Sequence, residues 1–236
     1  MQNIIDLCIK ANRDIYKLIQ NGLGENDFLS KAVGIGGDIS IGIDIKAENI
    51  FISYLLPFGT IYSEECGEVK SNTESYFIID PIDGSNNIKS FFPYYGSSVF
   101  YHNKENNKKF AIVCNYANGD LFLKKDDILY KGNLLLLNFK KVINNTHSNI
   151  GIFEKAFNFL EIVEQLRNSM LKFRSPGAVA LSFAYAHNVD FVLYKGQYRT
   201  YDIKAGLYVC QDLYVEQNDD TIIVSKDEKI MKQLKK

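Results

Sequence analysis

The segment Tyr76-Phe77-Ile78-Ile79-Asp80-Pro81-Ile82-Asp83-Gly84-Ser85-Asn86-Asn87 constrains this chain more than any other. Its aromatic and β-branched start reads as a buried strand over Tyr76–Ile79, and the strand runs directly into an acid. Pro81 has no amide hydrogen to give a ladder, so the strand is expected to stop there. Asp80 and Asp83 then leave its end on the same side of a turn. Two carboxylates that close repel unless one is protonated or a cation bridges them. A hard divalent ion such as Mg²⁺ suits an all-oxygen donor set, and the Ile82 carbonyl offers a further oxygen. Gly84, Ser85 and Asn86 expose backbone N–H groups at a helix start, a setting that suits a phosphate. A tight turn followed by an ordinary Asp or Ser helix cap accounts for the same letters. The segment alone leaves both readings open.

The rest of the chain narrows the class. Its 236 residues carry 27 Lys+Arg against 28 Asp+Glu, a balance with no general attraction for nucleic acid or an anionic membrane. A chain of this length and 46% apolar content builds its own core without disulfides or structural metal. No apolar run approaches the ~20 residues of a bilayer span. The N-terminus, broken by Asp6 and Lys10, lacks the apolar core of a secretion signal. Cys8, Cys66, Cys114 and Cys210 are scattered without C-x-x-C spacing, as expected of reduced, mostly buried thiols in a cytoplasmic protein. No repeat is visible.

Periodicity predicts helices over Ile4–Ile19, Ile45–Leu56, Ile152–Met170, Ala178–Ala186 and Ile203–Asp212. Strands are expected over Phe58–Ser63, Ser97–Tyr101, Phe110–Tyr116, Leu121–Leu123, Phe191–Tyr194 and Thr221–Val224, and a turn over Gly34–Asp38. This order points to a layered α+β or α/β architecture. Each half has its own sheet: an N-terminal half over 1–138 and a C-terminal half over 139–236.

Asp80-Pro81-Ile82-Asp83-Gly84-Ser85 resembles the D-P-[IL]-D-G-[ST] signature of the inositol monophosphatase/fructose-1,6-bisphosphatase superfamily of Mg²⁺-dependent, lithium-sensitive phosphatases. Companion motifs follow in family order between residues 33 and 212. Ser63-Glu64-Glu65 matches the element whose first acid bridges metal ions. Asp38-Ile39-Ser40-Ile41-Gly42-Ile43-Asp44 resembles D-x-x-T-x-x-D, and Arg174-Ser175-Pro176-Gly177-Ala178 resembles the R-S-x-G-[ST]-A run near the substrate. Tyr201-Asp202-Ile203-Lys204-Ala205-Gly206 resembles W-D-x-A-A-G. The resemblance implies an αβαβα sandwich and a homodimer. It assigns one Mg²⁺ to Glu64, Asp80 and the Ile82 carbonyl, and a second to Asp80, Asp83 and Asp202, with room for a third, weaker ion near Glu64. It also implies that Asp44 orients the hydroxyl of Ser85 toward a water, and that Gly84, Ser85 and Asn86 receive the phosphate. His102, His147 and His187 have no motif around them and read as structural or surface residues.

Four departures stand out: Ser85 for Thr, Tyr201 for Trp, Lys204 for a small residue, and Cys210-Gln211-Asp212-Leu213 in place of a Gly-Gly turn. Animal-type inositol monophosphatases place a Glu seven residues before the last metal Asp. Lys195 stands there, and with Arg174 and Arg199 it is expected to form a basic rim for a second phosphate. That arrangement is similar to archaeal-type enzymes acting on both fructose 1,6-bisphosphate and inositol 1-phosphate. Exposed strand-end charges explain Lys195 and Arg199 equally well. A 3′-phosphoadenosine 5′-phosphate phosphatase is a further alternative, and so is a non-catalytic or moonlighting binding protein on the same scaffold.

Overall fold

The two larger sheets, of eight and five strands, alternate with three pairs of helices to give five layers, and Ser30–Val33 pairs with Ile39–Ile41 in a separate two-stranded sheet. The computed structural model describes residues 1–35, 37 and 39–235, with Ala32 by its backbone only. Gly36 and Asp38, which belong to the expected turn and to the upstream acidic element, lie outside the described residues.

The larger sheet runs in the order Lys140–Lys141, Ile128–Asn133, Asp120–Lys125, Lys109–Asn115, Gly96–Asn103, Ser75–Asp83, Thr60–Ser63, Gly67–Val69. Side chains along its regular stretches alternate between faces. Phe77, Ile79, Val99, Tyr101, Phe110 and Ile112 meet helices Gln2–Gln20 and Gly42–Leu55 on one side. Ile78, Phe100, Ala111, Val113 and Phe122 meet helices Val179–Ala184 and Thr200–Val209 on the other. The five-stranded sheet repeats this logic. Val192, Tyr194, Ile222 and Val224 face the same inner helices, while Phe191, Leu193 and Ile223 face Leu166 and Met231 of the outer helices Leu160–Asn168 and Glu228–Leu234. The expected αβαβα sandwich is therefore the observed one. Two-sided burial explains why these strands read as almost continuous apolar runs.

Two expectations need correction. Pro81 does not end its strand, which continues to Asp83. The pairing steps from Asp80↔Ser98 to Asp83↔Gly96, so the strand carries one extra residue there. Such a bulge tolerates an imino acid that cannot donate to the ladder. The helix expected over Ile152–Met170 is instead a strand, Gly151–Glu154, a short 3-10 turn and a helix, Leu160–Asn168. Ile152 and Phe153 face opposite layers, and a short run buried on both sides has no period to separate strand from helix.

The helices expected from Ile45 and Ile203 each begin three residues earlier, at Gly42 and Thr200. In both, an aspartate in the first turn accepts a hydrogen bond from the residue before the helix: Ile41 N–H donates to Asp44 at 2.8 Å and Arg199 N–H to Asp202 at 3.4 Å. Those acids extend the helices beyond their apolar stripes. No helix among the described residues is long and apolar enough to cross a membrane.

Phe77 is fully buried, with its ring centroid 4.9 Å from that of Tyr101. Phe77→Ala is expected to cost about 3–5 kcal/mol in urea unfolding. A loss below about 1 kcal/mol would show that this layer is not close-packed.

Candidate active site

Strands Thr60–Ser63 and Ser75–Asp83 run parallel, and the carboxyl ends of parallel strands are where open sheets admit ligands. Several helix starts converge on those ends. Glu64 follows the first strand, and its N–H donates to the Ile79 carbonyl at 3.3 Å. Asp80 and Asp83 flank the bulge of the second. Asp44 and Asp202 arrive on the first turns of their helices, and Ser85 opens the short helix Ser85–Lys89. Gly84 precedes it at φ +93°, where a Cβ would lie 3.1 Å from both the Ala178 Cβ and the Tyr94 carbonyl oxygen. The turn and the close packing both require glycine.

These residues line one cavity of about 450 Å³, bounded by Asp44, Glu64, Glu65, Asp80, Ile82, Asp83, Gly84, Ser85, Asn86, Arg199 and Asp202. Carboxylate oxygens of Glu64, Asp80 and Asp202 all lie within 4.8 Å of one another. Asp83 sits beside this trio with both oxygens engaged, accepting from Val179 N–H and Leu181 N–H at 2.9 Å each. It thereby caps an inner helix across the layers. Asp44 accepts from the Ser85 hydroxyl at 3.1 Å. That hydroxyl is also 3.1 Å from the Ile82 carbonyl, so its single proton is shared between two acceptors.

Burial drives the electrostatics. Asp80 is pushed well above the usual carboxylate range, first by burial and then by Glu64, Asp83, Asp202 and Asp44. Burial raises Asp83 to about 7 against the opposing pull of its helix amide, and Asp202 adds to the rise. Asp44 also reaches about 7, chiefly through burial. Asp80 Oδ1 is buried with no hydrogen-bond partner among the described residues. An orphaned carboxylate oxygen amid like charges, in an all-oxygen donor set, fits a hard divalent cation.

The structure does not bring Arg174, Lys195 and Arg199 to a shared rim. Lys195 lies outside the acidic cavity, its ammonium 2.7 Å from Asp220 and 2.9 Å from the Thr221 hydroxyl. Arg174 and Ser175 line a separate, largely apolar cavity with Phe92, Tyr94 and Ile150, and the Arg174 guanidinium donates to the Phe173 carbonyl. Only Arg199 of the three reaches the acids. Two cations that sequence reasoning missed, Lys89 and Lys155, line the acidic cavity instead. Lys155 follows the strand that was read as helix, at φ +58°, and its ammonium donates to the Tyr194 hydroxyl at 2.7 Å. Its neighbour Glu154, almost fully buried, accepts from Gly177 N–H at 2.9 Å and the Ser182 hydroxyl at 2.5 Å. It ties the Arg174–Ala178 run to the second sheet. Lys204, unexplained by sequence, holds its ammonium 5.2 Å from the centre of the Phe100 ring, a cation–π contact in a different cavity.

No family model matches the chain. Among characterised relatives it is 30% identical over 174 residues to the fructose-1,6-bisphosphatase/inositol-1-monophosphatase of Methanothermobacter thermautotrophicus, a match covering 65% of this chain and 60% of that protein's length. Nus factor SuhB of Escherichia coli is 26% identical over 218 residues, covering 87% of this chain and 81% of that one. A solved structure of the extragenic suppressor protein SuhB of Bartonella henselae superposes with a TM-score of 0.79 over 98% of this chain and 97% of that one, at 19% identity. That last likeness concerns the fold.

Folded Asp44, Asp80 and Asp83 keep protons that the unfolded chain has released above its ordinary carboxylate pKa. The contribution of Asp44 and Asp83 to metal-free stability therefore falls as pH rises toward about 7, and Asp80, raised well above the usual carboxylate range, acts in the same direction. The rise in Tm produced by Mg²⁺ is expected to grow between about pH 5.5 and pH 8. A Tm shift independent of pH would detach these protons from the cation.

Proposed function

The chain belongs to the inositol monophosphatase/fructose-1,6-bisphosphatase superfamily, and from that premise we propose that it is an Mg²⁺-dependent phosphomonoesterase acting on a small phosphorylated polyol or sugar. The observation that carries this reading is the buried trio of Glu64, Asp80 and Asp202 with an orphaned Asp80 oxygen. Glu64, Asp80 and the Ile82 carbonyl would hold one ion, and Asp80, Asp83 and Asp202 a second. Bound there, such ions supply a more acidic water and neutralise charge on the phosphoryl group.

The chain's own residues do the rest. Asp44 accepts from the Ser85 hydroxyl, which leaves the Ser85 oxygen lone pairs free to take a hydrogen bond from a water beside the acids. With its own affinity for protons raised to about 7, Asp44 is poised to receive the proton that Ser85 passes on. Gly84, Ser85 and Asn86 line the cavity, where backbone N–H groups at this helix start would orient the phosphate. Lys89, Lys155 and Arg199 supply positive charge around it. Inositol 1-phosphate and fructose 1,6-bisphosphate are the substrates of choice, since the relative from M. thermautotrophicus is named for both activities. With Lys195 held by Asp220, discrimination falls to Lys89 and Lys155 rather than to the expected rim. The reading includes a cytoplasmic homodimer.

A second reading, a binding protein on this scaffold, draws on the relative named Nus factor SuhB. Phosphate release separates the two. Ser85→Ala is expected to lower kcat for inositol 1-phosphate by about 10²–10⁴-fold with the fold intact, and Asp80→Asn to bring release to background. Lys195→Glu should leave the ratio of inositol 1-phosphate to fructose 1,6-bisphosphate turnover unchanged. Release that is insensitive to Mg²⁺ and to Asp80→Asn would refute the enzyme reading. A metal-induced Tm shift without release from any of these esters or from 3′-phosphoadenosine 5′-phosphate would favour the binding protein.

A further inference from the structure

Arg199 occupies an unusual place for a substrate-binding cation. Its guanidinium Nη2 lies 2.7 Å from Glu64 Oε1 and 2.9 Å from Asp202 Oδ1, and its Nε donates to Asp202 Oδ2 at 3.1 Å. It therefore grips one carboxylate with two nitrogens and touches another, and both belong to the trio that fits a divalent ion. The position is enforced locally. Arg199 is the residue before helix Thr200–Val209, three positions ahead of Asp202, so the fork and its carboxylate share one helix start.

We propose that Arg199 is a resident counter-cation of this cluster, and that a divalent ion must displace it from Glu64 and Asp202 in order to bind. An ion drawing on Glu64, Asp80 and Asp202 meets a fixed positive charge on two of its three acids. Either the guanidinium withdraws or the two cations share oxygens at a Coulomb cost. Two consequences follow. The metal-free protein is protected from the repulsion of Glu64 and Asp202, which stand beside the unpartnered Asp80 oxygen. Metal affinity is held below what three buried carboxylates alone would give. If the phosphatase reading holds, displacement also turns a planar, bidentate donor toward the cavity at the moment a phosphate can use it. That last step rests on the proposed function, whereas the competition itself does not.

The test needs no substrate. Mg²⁺ and Mn²⁺ binding would be measured by titration calorimetry, with melting curves in parallel, on the wild type, Arg199→Ala, Arg199→Gln and Arg199→Lys. Arg199→Gln keeps part of the packing stem and guards against a folding defect in the alanine variant. The expected result is inverted relative to a ligand-binding residue. Removing the charge lowers the metal-free Tm while tightening metal binding about 5–150-fold, with Arg199→Lys in between. Asp80→Asn combined with Arg199→Gln should abolish the gain, which locates it in this cluster. Wild-type binding with equal or weaker affinity in both neutral variants would overturn the displacement and leave the phosphatase reading standing. No metal binding by any of the proteins would remove both.

Discussion

Everything distinctive about this molecule depends on carboxylates packed where water cannot screen them. Asp80 is 3% exposed and one of its oxygens meets no donor among the described residues. Left ionised beside Glu64 and Asp202, it is a local conflict that the surrounding core must support. The layers supply that support. Parallel strands bring Glu64 and Asp80 side by side, and helix starts deliver Asp44 and Asp202. Asp83 fastens the cluster to the inner helix Val179–Ala184 through two backbone amides. A site this costly in the absence of a cation is well suited to one that needs a cation to work.

Much of this was legible in the sequence because its physics is local. An apolar run ending in Asp-Pro-Ile-Asp-Gly-Ser announces acids at a strand end, whereas the first turns that Asp44 and Asp202 cap lie ahead of the apolar stripes and were missed. The five-layer sandwich followed from the family resemblance, and the alternation of strand and helix runs gave only a layered order. What stayed hidden depends on distance in the chain. Lys155 enters the cavity from a strand whose apolar pair, Ile152 and Phe153, mimics a helix. The family resemblance put Lys195 on the substrate side, but Asp220, 25 positions later, claims its ammonium. Pro81 looked like a terminator because the bulge that absorbs it is defined only by its partner, Gly96–Asn103.

Charge balance then takes on a functional meaning. The acidic cavity holds its own cations, and they fall into two groups. Lys89 and Lys155 line the walls, where they can meet an anionic ester. Arg199 lies on the acids themselves, where it stabilises the empty cluster and opposes its filling. Metal loading and phosphate recognition thereby become linked through one side chain. Asp44 and Ser85 stay apart from that exchange, joined to each other and to the backbone at Ile41 and Ile82.

The Glu64, Asp80 and Asp202 carboxylates form a cluster that fits a divalent ion. Anomalous diffraction from crystals grown with Mn²⁺ would reveal such an ion. An anomalous peak is expected among those three residues, within coordinating distance of the Asp80 oxygen that has no hydrogen-bond partner among the described residues. An ordered site without such a peak at saturating Mn²⁺, its carboxylates held only by protons and Arg199, would contradict that fit.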